Sequence, residues 1–244
     1  VAGHFSIPAK LFSYQTAWPL YKYSEVYTRE NIILIFGSGP VVSLLISLTL
    51  AAAFRLVVRI GISLKVLWLW MAFHGFNLFF GGYISGIASN TGMKFFSAWL
   101  LNSQGTNFKE IIIAGLAIVV MIAAGSIATR YFLQASPSQA FIRSRLRFFY
   151  LVAQAFIPWL AGTLVISLTN LPTFVLSFML LLGTSALPIL PVLANHNAPA
   201  GKHIKISKAG DQITIGWLYI FIFAMLTIFI RVYIYPGIQF GESL

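Results

Sequence analysis

The chain has no cysteine, which excludes a disulfide framework, a thiolate metal site and a cysteine nucleophile. Acidic residues are almost as scarce. Among 244 residues there are five, Glu25, Glu30, Glu110, Asp211 and Glu242, and each falls outside the apolar runs or at their ends. The hydrophobic segments therefore hold no carboxylate pair for general acid–base work and no chain of buried acids for proton movement. No HExxH, internal repeat or low-complexity tract occurs. Charged residues of either sign make up 9% of the chain, against roughly 25% in a soluble domain. With 59% hydrophobic residues, this is the composition of a membrane-embedded protein.

What the chain does have is long apolar runs separated by basic connections. Six stretches reach or approach the roughly 20 residues needed to cross a bilayer: 31–54, 66–88, 111–129, 148–170, 173–194 and 215–230. Residues 1–30 mix five Tyr and Trp with Lys10 and Lys22, and Pro8 and Pro19 interrupt any long helix. They read as a segment lying in the membrane interface or as an extramembrane segment packed on neighbouring helices. Within the 195–213 loop, HIKIS and QITI flank KAGD, a pattern that predicts a small hairpin.

The formal charge is +11. In a soluble protein this would favour nucleic acid, but here the basic residues sit between apolar runs, where they act as orientation signals and contacts for anionic headgroups. No nucleic-acid partner is expected. Connections after the first, third and fifth spans carry ten Lys and Arg, and the opposite side carries six. That bias places both ends of the chain outside the cytoplasm.

His74 and Asn77, in the stretch 66–88, are the candidate intramembrane polar site. Three residues apart, they share a helical face. A titratable group in hydrocarbon is a functional hypothesis by default, and a neutral imidazole can ligate zinc or haem. A single His makes no metal site, so the competing reading is a structural His hydrogen-bonded to Asn77 or to a neighbour's carbonyl. No metal and no cofactor is expected. Arg143, Arg145 and Arg147 alternate before the fourth span and suit the headgroup layer, where each charge contributes about 1 kcal/mol of attraction to anionic lipid; an acidic partner is the sharper alternative. His196 and His203 read as loop residues. Pro40, Pro158, Pro188 and Pro191 read as kinks serving packing and curvature, and the small residues of GGYISG and AAGS as close helix contacts.

Two short segments resemble the intramembrane site-2 zinc metalloprotease family. FGSGPVVSLLISL at 36–48 is similar to the G-P-plus-small-apolar segment that follows that family's first catalytic helix. SALPILPVLANHN at 185–197 is similar in outline to its N-x-x-P-x-x-P-L-D-G run. The family's chemistry needs an HExxH pair with its Glu and a third, Asp ligand. The motif is absent, and Val192, Leu193, Ala194 and Asn195 stand where the Asp would fall. The resemblance therefore implies a non-catalytic relative. The chain begins at Val1, which leaves room for an HExxH helix upstream.

The expectation is an all-α, polytopic helical membrane protein with about six transmembrane helices over residues 31–236, preceded by the segment 1–30 and followed by a tail at 237–244. It is read as a partner or scaffold subunit of a complex in a bacterial cytoplasmic membrane, contacting other integral membrane proteins and anionic lipid and without enzymatic activity. The alternatives are an intramembrane protease completed upstream, and a transporter or lipid-handling protein.

Overall fold

The computed structural model describes residues 9–11, 16–17, 25, 28–56, 62–101, 108–136, 145–171, 173, 175–197 and 224–240. Its helices are α1 (Arg29–Leu56), α2 (Ile62–Ser89), α3 (Met93–Leu100), α4 (Phe108–Gln134), α5 (Arg145–Leu151), α6 (Ile157–Thr169), α7 (Leu176–Thr184), α8 (Ala186–Ala194) and α9 (Ala224–Ile234). A π-helical turn, Val152–Phe156, joins α5 to α6, and a 3-10 turn, Asn195–Asn197, closes α8. Four of the resulting runs are long and apolar enough to cross a membrane: Arg29–Phe54, Phe108–Gln134, Leu146–Thr169 and Leu176–Asn197. The protein is a multi-pass, helical membrane protein. Hydrocarbon offers no partner to a peptide group, so a spanning segment must satisfy its backbone internally, and the helix does so.

The expected count of six needs qualification. The stretch 66–88 is helical throughout, as α2. Trp68, Trp70, His74, Asn77 and four glycines dilute its apolar character, and it is not among the four. Of the expected sixth span, 224–230 is described, as the start of α9. The predicted hairpin lies outside the described residues beyond Asn197.

α2 is the helix around which the others gather, packing against α1, α3, α4 and α7. It runs antiparallel to α1 along their shared length. The Ser47 hydroxyl donates to the Ala72 carbonyl at 2.6 Å, and a Cβ on Gly75 would lie 2.6 Å from the Ser43 carbonyl oxygen. The glycine is what lets the two backbones approach. At one end of the bundle Phe54, Phe73, Phe132, Leu151 and Val192 form the core, with the Phe73 and Phe132 rings stacked 5.7 Å apart.

Residues 9–17 and 238–240 contribute strands to a short sheet that the sequence does not foretell. Strand β1 (Ala9–Leu11) pairs antiparallel with β2 (Thr16–Ala17) and, on its other edge, with β3 (Ile238–Phe240). The register sets Lys10 opposite Gln239 and Leu11 opposite Ile238. The expected interfacial segment and the expected tail are thus joined.

Three arginines close helix C-termini, where the last carbonyls lack partners and carry the negative end of the helix dipole. Arg29 donates to the Trp99 and Leu100 carbonyls at the end of α3, at 3.0 and 3.2 Å. Arg231 donates to those of Thr169 and Leu171 after α6, at 2.7 and 2.9 Å, with its guanidinium 4.0 Å above the Tyr235 ring. Arg147 donates to the His196 carbonyl beyond α8 at 2.9 Å. Arg147→Ala should lower stability by about 1 kcal/mol, read as a lower unfolding midpoint in detergent free of anionic lipid. A side chain that served headgroups alone would leave that midpoint unchanged.

Candidate functional site

Polar groups at membrane depth collect at two helix junctions, one beside Pro158 and one ahead of Pro188. Pro158 has no N–H to give the Gln154 carbonyl four residues earlier. The Trp70 indole of α2 fills that place, donating to the Gln154 oxygen at 3.2 Å. Between α7 and α8, ahead of Pro188, the Ser185 amide turns to the Leu182 carbonyl at 3.2 Å in a 3-10 bond. This releases the Leu181 carbonyl, which accepts from Asn77 Nδ2 at 3.0 Å and from the Thr184 hydroxyl at 2.8 Å. Thr184 also lies 3.1 Å from Asn77 Oδ1. The Trp159 indole of α6 donates to the Ser185 hydroxyl at 2.7 Å, and that hydroxyl in turn meets the Leu182 carbonyl. Freed backbone groups of one helix are thus met by side chains of the next, which is how broken helices persist in lipid.

Gly81 makes room for this joint. A Cβ there would overlap both Asn77 Oδ1 and Thr184 Oγ1. Asn77 is buried, and its amide is engaged with α7. His74 takes the other course. It is exposed at the edge of the same crevice, its ring 5.7 Å from that of Trp70, and it has no hydrogen-bond partner among the described residues. Of the two partners considered for a structural His74, Asn77 is bonded to Leu181 instead, and no neighbouring carbonyl among the described residues meets the imidazole. The crevice they line with Trp159 and Ser185 has an internal volume of about 10 Å³, room for about one water molecule.

The α4–α8 joint follows the same pattern. Gly125 lies against Pro188 so closely that a Cβ would come 2.7 Å from the Pro188 carbonyl carbon. One turn on, the Thr129 hydroxyl is 3.4 Å from the Val192 carbonyl. Asn195 donates to Ser126 Oγ at 2.9 Å and to the Pro191 carbonyl at 3.0 Å. Among the described residues no three His, Asp or Glu side chains gather as a metal site.

Known protein families, characterised proteins and solved structures give no match to this chain.

Of the predicted arginine cluster, Arg147 is the helix cap already described, Arg145 opens α5, and Arg143 lies outside the described residues. His196 packs against Phe148 at 5.4 Å, with Nδ1 2.9 Å from the Leu193 carbonyl; His203 lies outside the described residues. The feature the sequence reading missed is Glu110. It stands in the first turn of α4, where the helix dipole favours an acid, and was placed at a span end. In the fold it is fully buried, with the Ser97 hydroxyl of α3 3.2 Å from Oε1. Its burial comes from α3 folding back over the end of the bundle, and no periodicity in eight residues forecasts that contact.

Proposed function

We propose that the chain is a non-catalytic partner or scaffold subunit of a complex of integral membrane proteins. The observation that carries this reading is the use made of the polar groups inside the bundle. Asn77, Trp70, Trp159, Thr184, Ser185, Thr129 and Asn195 all hold one helix to another, which leaves them little capacity for substrate. His74 is the exception, and it faces outward, where a neighbouring transmembrane helix can supply the missing partner.

Six crossings fit the reading. α2 lies along α1 through the same depth, and the β1–β3 pairing sets residues 9–11 beside residues 238–240, an arrangement that suits an even number. The basic connections put that side outside the cytoplasm of a bacterial cell. The likeness of residues 36–48 and 185–197 to the site-2 proteases adds a protease-like scaffold without its chemistry. Asn195, near the family's Asp position, is spent on Ser126 and Pro191, and an amide is a poorer zinc ligand than a carboxylate.

A photo-crosslinking residue at position 74 should capture, in native membranes, the same membrane protein that co-purifies with the unmodified chain in fixed stoichiometry. One at Leu116, 58% exposed on α4, should capture lipid. Lipid capture alone from position 74 would contradict the proposal.

A further inference from the structure

Away from the proline joints, α1 and α4 stand apart over α2 and leave a cavity of about 230 Å³ open to the side of the bundle. Leu69, Phe73 and Ala128 form its buried floor. Ala51, Ala72 and Ala124 give it width, because their side chains end at Cβ. Ser47 and Tyr131 are its two residues with hydroxyl groups. The Ser47 hydroxyl is committed to the Ala72 carbonyl at 2.6 Å, and the Tyr131 ring packs edge-on against Phe54 at 5.3 Å. Such a slot suits a hydrocarbon chain and offers little to a polar solute.

The slot does not end in hydrocarbon. Ile127 and Tyr131 also line a second cavity, of about 370 Å³, together with Arg130 and Gln134. These residues continue the face of α4 that lines the slot, and from Ala124 to Gln134 the helix rises about 15 Å. α4 ends at Gln134, so the polar notch stands at the end of a membrane-crossing run, at headgroup level. Arg130 is exposed there and makes no hydrogen bond or ion pair among the described residues. Its charge therefore remains available to an anion. At the same end of the bundle α1 finishes with Arg55 and Leu56, and α5 opens with Arg145.

We propose that slot and notch form one binding site for an anionic phospholipid, with an acyl chain between α1 and α4 and the phosphate at Arg130 and Gln134. An apolar slot alone would take any lipid. The Arg130 guanidinium at its mouth, exposed and without a bond among the described residues, selects a headgroup of net negative charge over a zwitterionic one. The site is independent of whether the chain serves in a complex, and its test uses the isolated full chain.

Native mass spectrometry from mild detergent should find phosphatidylglycerol retained about fivefold more tightly than phosphatidylcholine of the same acyl composition, the factor equivalent to about 1 kcal/mol per basic group at an anionic surface. Arg130→Gln should remove that preference and leave phosphatidylcholine binding as it was. Ala124→Leu, which fills the slot, should weaken both lipids. Ile127→Trp, which narrows the mouth at a residue 57% exposed, should do the same even if the first variant folds poorly. Inorganic phosphate should not displace the lipid. Equal retention of the two lipids by the unmodified chain, an unchanged preference in Arg130→Gln, unchanged binding in Ile127→Trp, or displacement by phosphate would each overturn the proposal.

Discussion

Gly125→Ala should destabilise the protein by about 3 kcal/mol, while Gly115→Ala, ten residues earlier on the same helix, should stay within about 1 kcal/mol of the parent. Both substitutions add one methyl group to α4, and both raise helix propensity. They differ in what that methyl meets. At Gly115 nothing lies within 4 Å. At Gly125 it would overlap the Pro188 carbonyl, with the Pro188 Cα at 2.8 Å. These are backbone atoms of α8, which no rotamer change can move aside, so α4 and α8 must separate. Separation lengthens the Thr129–Val192 and Asn195–Ser126 contacts and opens the core around Val192. Reversible thermal or denaturant unfolding in one detergent would compare the pair. Equal midpoints for the two variants would mean that α4 and α8 are not closely packed.

Asn77→Leu should cost about 2 kcal/mol, although leucine is of similar size and far better suited to hydrocarbon. What is lost is the bond between helices: the Leu181 carbonyl, released from the helix ladder by the break before Ser185, would be left with the Thr184 hydroxyl of its own helix and no tie to α2. Thr184→Val should cost less, about 1 kcal/mol, because Asn77 still reaches Leu181. The two changes touch one network, so their sum should differ from the double variant by about 0.5–1 kcal/mol. Additive effects would mean that the two side chains act separately. A stable Asn77→Leu variant would mean that this amide is reserved for something other than joining α2 to α7.

Much of this arrangement can be read from residue order alone. Crossing runs announce themselves by length and apolarity, and the edges of 31–54 and 148–170 fall within two residues of Arg29–Phe54 and Leu146–Thr169. Pro158 and Pro188 stand beside helix junctions, because a missing N–H is a local fact, whereas Pro40 and Pro191 lie inside α1 and α8. What fills the vacant carbonyl is not local. Trp70 reaches a residue 84 positions away, and Asn77 one 104 positions away. An apolar sequence with polar residues scattered through it does not say which will meet. His74 shows this well. Its spacing allows Asn77 or a neighbour's carbonyl as a partner, and does not tell that the amide is engaged by α7 with the imidazole at the crevice edge. The arginines make the same point about charge. Counting them assigns sides, yet Arg29, Arg147 and Arg231 are each tied to a particular helix end. The sheet joining the two ends was hidden for a simpler reason, since strands of two or three residues carry no alternation to detect.

The most direct test of a protein whose interior chemistry is spent on its own helices is the mass of the particle taken from its membrane in a lipid nanodisc without detergent. A partner or scaffold subunit predicts that the 27.0 kDa chain emerges with a second integral membrane polypeptide in a fixed ratio. A particle holding this chain and lipid alone, or this chain with stoichiometric zinc and hydrolytic activity, would contradict it.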